Sequence, residues 1–350
     1  IVNAITQTFI LPLILIYSMP RYPDIPEIEL PLLITGVAGV SGYNAFKYYH
    51  EKYPGQVIGT RREEYWPLSG DGIVGCDVTN KESIAALCQQ YTFRSVINCL
   101  GTCKLKFCEL DPIMAHRVNV QGINNLINAL QQNDSGDATM IHLSIDLVFS
   151  GKDAGKQYTE SDTPDPVTVY GKTMVEAEHI ILERMPHATI LRISLPMGPS
   201  FSGHAGAIDW IQSRFKNNKP ATLYYDEIRT PQYTDCLNKL THWLLTHPLA
   251  GIFHAGGVRQ LSLFEIAQIV NLIGGYNPSC LIGCPRIDAG PMPPRAGDVS
   301  LDSSRLQTAL GFVPFDPWPL QDIYVPVDRT WHLDPPAIGP DDTALTGSPE

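Results

Sequence analysis

The chain has 350 residues, 44% of them hydrophobic and 17% charged. That composition excludes disorder of the whole chain and supports one large or two modest domains. With 25 Lys and Arg against 36 Asp and Glu the net charge is −11, which argues against non-specific nucleic-acid binding but leaves room for a local basic pocket.

Residues 1–28 read as an N-terminal extension. The apolar run at 9–17 is shorter than the ~20 residues of a membrane helix, and no Lys or Arg precedes it as in a signal peptide. From 29 to 200 short β-rich runs at 30–35, 57–60, 73–77, 95–100, 140–145 and 188–194 alternate with amphipathic stretches such as 81–90 and 113–131. Strand–helix alternation implies parallel strands joined by crossover helices, an α/β fold. Beyond 200 the pattern loosens. Helices at 207–216, 234–246 and 263–273 mix with strands at 221–226 and 251–255, and Pro291, Pro293 and Pro294 crowd one loop. Residues 201–330 therefore read mainly as a smaller α/β substrate-binding cap, and 331–350 as a disordered tail. No internal repeat is visible. The eight cysteines contain no CxxC pair, so they read as free thiols of a reducing, cytoplasmic protein, with no metal site expected.

Directly after the run at 32–35 comes Gly36-Val37-Ala38-Gly39-Val40-Ser41-Gly42, and a helical stretch follows. Glycines at this spacing let the backbone turn tightly and approach a pyrophosphate at a helix N-terminus. The strand–turn–helix context makes 29–200 a Rossmann-type doubly wound parallel sheet that binds a dinucleotide. Arg61 and Arg62 close the second strand where NAD binders place an acid. They suit the 2′-phosphate of NADP(H) better than NAD(H), unless they are solvated loop charges. Asp77 and Val78 follow the third strand at the adenine end, and Cys99 and Gly101 follow the fourth at the ligand edge.

An ordered series of motifs spans residues 30–320. Thr35-Gly36, Gly39 and Gly42 are followed by Cys76-Asp77-Val78, Asn98-Cys99-Leu100-Gly101, Cys108-Glu109 with Asp111-Pro112, and Asn119. Then come Ser144-Ile145-Asp146-Leu147-Val148-Phe149, Tyr158-Thr159-Glu160-Ser161-Asp162, Tyr170-Gly171-Lys172-Thr173, Leu191-Arg192, Arg229-Thr230-Pro231 and Pro294-Arg295. This series resembles the extended branch of the short-chain dehydrogenase/reductase superfamily, and within it the dTDP-4-dehydrorhamnose reductase (RmlD-like) group. The resemblance implies reduction or epimerisation of nucleotide sugars with NAD(P)H. It further implies a Ser/Thr and a Tyr on the substrate oxygen, and a Lys four residues after the Tyr that lowers its pKa and binds the nicotinamide ribose. Residues i and i+4 share a helix face, which is why the spacing is four.

Of the three catalytic positions only Tyr170 carries the expected group; Met174 and Ile145 occupy the other two. Lys172 is at i+2, on the far side of a helix, and Ser144 is a strand neighbour facing the opposite way. Leu147 follows Asp146 where the dehydratases of this branch have Glu, so 4,6-dehydration is not expected. Cys103, Tyr170, Arg229 and Arg295 are the expected substrate contacts. The two arginines would grip a diphosphate or hold loops through carboxylates.

Two functions stay open. One is an NADP(H)-dependent reductase of a nucleotide-linked 4-keto sugar, with His142 or His204 standing in as base. The other is a catalytically impaired homologue that keeps NADP(H) as a structural or sensory ligand. The regulatory β subunit of methionine adenosyltransferase, a relative of this group, is the precedent. Expected associations are a nucleotide sugar and either a homodimer or a regulated partner protein, with no nucleic acid and no membrane.

Overall fold

Strand β1 (Leu32–Thr35) is buried along its whole length, as a strand covered on both faces must be. The computed structural model describes residues 22, 25–65, 67–153, 155–203 and 206–327. The apolar run at 9–17, His204 and the tail from 331 lie outside the described residues. After β1 come α1 (Val40–Lys52), β2 (Val57–Arg61), β3 (Ile73–Gly75), α2 (Lys81–Gln90) and β4 (Ser95–Asn98). Next are α3 (Leu105–Leu110), α4 (Pro112–His116), α5 (Gly122–Gln131), β5 (Thr139–Ile145), α6 (Val169–Arg184) and β6 (Thr189–Ile193). The remainder comprises β7 (Pro196–Met197), α7 (Ala207–Lys216), β8 (Ala221–Tyr224), β9 (Ile228–Arg229), β10 (Gln232–Tyr233), α8 (Thr234–Thr246) and β11 (Gly251–Ala255). It closes with β12 (Leu261–Ser262), α9 (Leu263–Gly274), β13 (Leu281–Cys284) and α10 (Ser304–Leu310).

Seven strands form one parallel sheet in the order β11-β6-β5-β4-β1-β2-β3. This is the expected Rossmann-type winding. It reverses direction between β1 and β4, opening the ligand crevice at the carboxyl ends of those strands. Side-chain alternation splits the core into two layers. Leu32, Ile34, Ile97, Ile141, Leu191 and Phe253 face the layer of α1 and α8, while Leu33, Val96, Met140 and Ile190 face that of α2, α5 and α6.

Two features depart from the simple alternation. The stretch 113–131, read as one helix, is α4, a π-helical turn (Arg117–Gln121) and α5. The second half of the chain also serves two units. Strand β11 pairs with β6 in the central sheet, and α8 packs against α1. The pairs β8–β13, β9–β12 and β7–β10, with α7 and α9, build a smaller body around Ile211, Phe215, Leu223, Phe264, Ile269 and Trp318. No helix among the described residues is long and apolar enough to cross a membrane.

Candidate cofactor and substrate site

The three glycines after β1 are glycines for different reasons. Gly36 has φ +69°, and a Cβ there would lie 2.6 Å from the Cys99 carbonyl oxygen. At Gly42 a Cβ would come within 2.4 Å of the Gly36 oxygen, so its absence lets α1 pack on β1. Gly39 is different. Its φ is −81°, and a Cβ would meet nothing closer than 3.5 Å. Neither conformation nor internal packing requires glycine there; the space it leaves opens outward, over the start of α1. Helix α1 has no side-chain cap and no acid in its first turn, where Val40 and Ser41 sit. That leaves its partial positive charge available, and a pyrophosphate fits this cradle.

The residues at the end of β2 divide their work. Arg61 donates from Nε to the Leu68 carbonyl at 2.5 Å and from Nη1 to the carbonyls of Arg62 and Glu63 at 3.0 and 3.3 Å, bracing the loop that follows. Arg62 is exposed and pairs with Glu64. Asp77 accepts from the Thr79 N–H and hydroxyl at 2.9 and 2.8 Å and borders an open hollow with Lys81, Arg117 and Asn124. Val78 lies under Gly122, and Cys99 packs on the core, where burial pushes its thiol up to about 12.

Tyr170 sits in the first turn of α6. That turn is held by the Thr168 hydroxyl, which accepts from the Gly171 N–H, and by Glu109, which accepts from the Val169 N–H at 2.7 Å. A Cβ on Gly101 would lie 3.8 Å from the Met174 sulfur, 3.8 Å from Asn119 Oδ1 and 3.9 Å from the Tyr170 ring. The corner therefore gathers Gly101, Asn119, Tyr170 and Met174. Met174 and Tyr170 are buried, Ile145 packs against their cluster, and Lys172 is exposed. Burial raises the Tyr170 hydroxyl well above the ordinary tyrosine value. Cys103, Asp146 and Cys108 add to the rise, and Arg229 opposes it. Asn119 lies on the π turn, accepts from the Thr102 N–H at 2.7 Å and donates to the Thr173 hydroxyl at 2.8 Å. Such turns recur at functional sites, and this one ties the strand-end loop to α6.

Two other side chains face away from the corner. Ser144 donates to Glu178 at 2.5 Å, and Glu178 is gripped by Arg192 through two bonds of 2.9 and 2.7 Å. His142 corrects the expectation of a stand-in base. It is fully buried in the sheet beside Asn98, whose side-chain amide donates to its Nδ1 at 2.9 Å. Burial pulls His142 down to about 4, and it does the same to His254, assisted there by Arg192.

These histidines set a test of pH dependence. His142 binds a proton near pH 6.5 when unfolded but only near 4 when folded. The unfolded state takes up more protons between those values, so stability is full above pH 6.5 and falls as the pH drops towards 4. The His142 contribution lost is about 3 kcal/mol. Urea unfolding at pH 7 and pH 4.5 should show this loss, and His142→Gln should flatten the slope. An equal slope in both proteins would mean that His142 titrates normally in the fold.

Beside Asp146, at the end of the central sheet, Arg229 is buried and its fork is committed. One terminal nitrogen donates to Asp146 at 2.6 Å and the other to Glu227 at 2.7 Å. Asp146 also accepts from the Ser194 hydroxyl at 2.6 Å. Arg295 lies 3.6 Å from the other Glu227 oxygen, over the Tyr224 ring, and stays partly open. Cys103 is exposed, and desolvation by the residues around it raises its thiol. Both arginines thus converge on Glu227, which the motifs do not single out. Its i, i+2 spacing from Arg229 along extended chain is the signal that finds it.

The family model described as RmlD substrate binding domain matches residues 30–320. The chain belongs to this family, in the RmlD-like group of extended short-chain dehydrogenases/reductases. A probable low-salt glycan biosynthesis reductase of Haloferax volcanii is 28% identical over 245 residues, covering 69% of this chain and 80% of the relative. The methionine adenosyltransferase 2 subunit beta of Danio rerio is 24% identical over 300 residues, covering 81% of this chain and 87% of the relative. Among solved structures, the dTDP-4-dehydrorhamnose reductase of Bacillus anthracis in complex with NADP superposes with a TM-score of 0.69 at 21% identity, over 83% of this chain and 96% of that one. This last likeness is one of fold.

Proposed function

We propose that the chain binds NADP(H) and a nucleotide-linked keto sugar with the architecture of a sugar-nucleotide reductase, and that its own hydride transfer is residual. One contrast carries this reading. The glycine cradle stays open where packing does not demand glycine, while the acid–base corner is filled by buried Met174 and partly buried Ile145. The names of the relatives support the ligand class: one is a glycan biosynthesis reductase, and a structural neighbour was solved with NADP. The match to a subunit of methionine adenosyltransferase supports a role played together with a partner protein.

In this reading residues 29–200 hold the cofactor and 201–330 mainly hold the sugar. Bound NADPH would supply a hydride. Gly39 and the start of α1 hold the pyrophosphate, Tyr170 stays protonated and can donate to a carbonyl, and Arg295 with Cys103 faces the sugar nucleotide. Arg62 takes the 2′-phosphate. Its exposed pair with Glu64 is worth little, so a dianionic phosphate can replace that partner. Arg61 shapes the loop beneath it.

Calorimetric titration tests the cofactor half. Gly39→Leu should abolish binding of NADP(H) and NAD(H) alike, because the side chain fills pyrophosphate space. Arg62→Ala should weaken NADP(H) about tenfold or more and leave NAD(H) unchanged. If Arg62→Ala binds NADP(H) as tightly as the wild type, the 2′-phosphate assignment fails.

A further inference from the structure

We propose that Gln232 recognises the carboxamide of the nicotinamide ring, pairing amide to amide. The proposal rests on the NADP(H) reading above, in which the pyrophosphate sits at the start of α1 and the ring reaches the corner of Tyr170. It adds a contact that the motifs of the chain do not single out.

Gln232 lies on β10 and is 0% exposed, yet neither its amide nitrogen nor its amide oxygen has a hydrogen-bond partner among the described residues. Leaving a buried donor and a buried acceptor unpaired is costly, and the buried amides of native proteins are almost always bonded. Across the strand pair stands Pro196 of β7, which has no N–H and no polar side chain to offer. The placement of Gln232 points to what does satisfy it. Residues 194–199 run from the corner to the pyrophosphate end. At one end Ile193 pairs with Ile145, and the Ser194 hydroxyl donates to Asp146 at 2.6 Å. At the other the Pro199 carbonyl accepts at 2.8 Å from the side-chain amide of Asn44, which also reaches the Val40 carbonyl at the start of α1. Strand β7 is the middle of this path, and the Gln232 N–H is tied to it through the Leu195 carbonyl at 3.3 Å. Successive residues of a strand point to opposite faces. Tyr233 and Met197 take the face that packs into the cap, so Gln232 and Pro196 take the other. A cofactor that spans from the glycine cradle to the corner carries its nicotinamide end along this path. Of the groups on that end, only the carboxamide sets a C=O and an NH2 side by side, the complement of a glutamine amide. Two such groups in one plane form a pair of N–H···O bonds. The pair satisfies both orphaned atoms and fixes which face of the ring meets Tyr170.

The experiment titrates the full chain calorimetrically with three ligands: NADP⁺, its 3-acetylpyridine analogue, in which a methyl replaces the amide NH2, and 2′-phospho-ADP-ribose, which lacks the ring. Wild type should bind NADP⁺ about tenfold more tightly than the analogue. Gln232→Leu should bind the two alike and keep the wild-type affinity for 2′-phospho-ADP-ribose. Gln232→Met, closer in length, carries the same test if the leucine variant does not fold. A folded variant that keeps the wild-type preference for NADP⁺ would overturn the proposal and leave the cofactor reading intact, as would a wild type that does not distinguish NADP⁺ from the analogue. An equal loss for the ringless ligand would place the effect elsewhere in the site and would also overturn it. Binding of none of the three by wild type would overturn both readings.

Discussion

Combining Met174→Lys with Ile145→Thr should raise NADPH oxidation with a 4-keto nucleotide sugar by about 10²–10⁴-fold over the wild type. The wild-type corner has an acid but nothing to tune it. Tyr170 is buried and its hydroxyl is held well above the ordinary tyrosine value, so the phenolate is inaccessible at neutral pH. An ammonium at 174 would lie next to the ring and lower that pKa, and it could bond to the ribose hydroxyls. At 145 the aliphatic side chain packs where a hydroxyl would polarise the carbonyl, and an apolar contact cannot stabilise a developing oxyanion. Either change alone should help little, because groups that act on one proton and one oxyanion act as a unit. The assay compares wild type, both single variants and the double variant. High wild-type turnover that Tyr170→Phe abolishes would show that another group supplies the missing chemistry, and the impaired-enzyme reading would be wrong.

Arg229→Ala should cost about 3–5 kcal/mol of stability, a larger effect than loss of a substrate contact alone. Its guanidinium is buried between Asp146 and Glu227, and removing it leaves Asp146 with only the Ser194 hydroxyl and Glu227 with only Arg295 in a poorly solvated interior. Arg229→Lys keeps the charge but lacks the fork that reaches both partners, so it should recover only part of the loss. Urea unfolding at pH 7.5 measures both. A destabilisation under about 1 kcal/mol, with ligand affinity alone reduced, would mean that the fork is free to bind a diphosphate in solution.

Much of the fold was legible because it is written in local periodicity. The helices at 81–90, 207–216 and 234–246 have the bounds their apolar spacing predicts, and all seven strands of the central sheet fall within the predicted runs or a residue beyond them. The i, i+4 rule placed Met174 beside Tyr170 and left Lys172 outside, as the burial of α6 shows. Alternation along β5 put Ser144 on the opposite side from Ile145, and Ser144 is bonded to Glu178 there. The helix at 113–131 was less legible. Its apolar pattern continues across the π turn, and the extra backbone residue per turn leaves no periodic trace strong enough to read.

By itself the sequence determined the strand–helix alternation, the glycine spacing after β1 and the placement of Met174 one helical turn after Tyr170. Each of these depends on neighbours a few positions apart, where spacing fixes which side chains share a face. Tertiary structure alone decided which charges are spent. Arg61 is used by loop carbonyls, His142 is sealed beside Asn98, and Arg229 is paired across 83 residues with Asp146. It also carried β11 and α8, from the half read mainly as a cap, into the central sheet and its helical layer. The reason is physical. A sequence pattern states that a face must be covered or a charge must be paired, but the covering element and the pairing group come from distant segments, chosen by how the whole sheet closes.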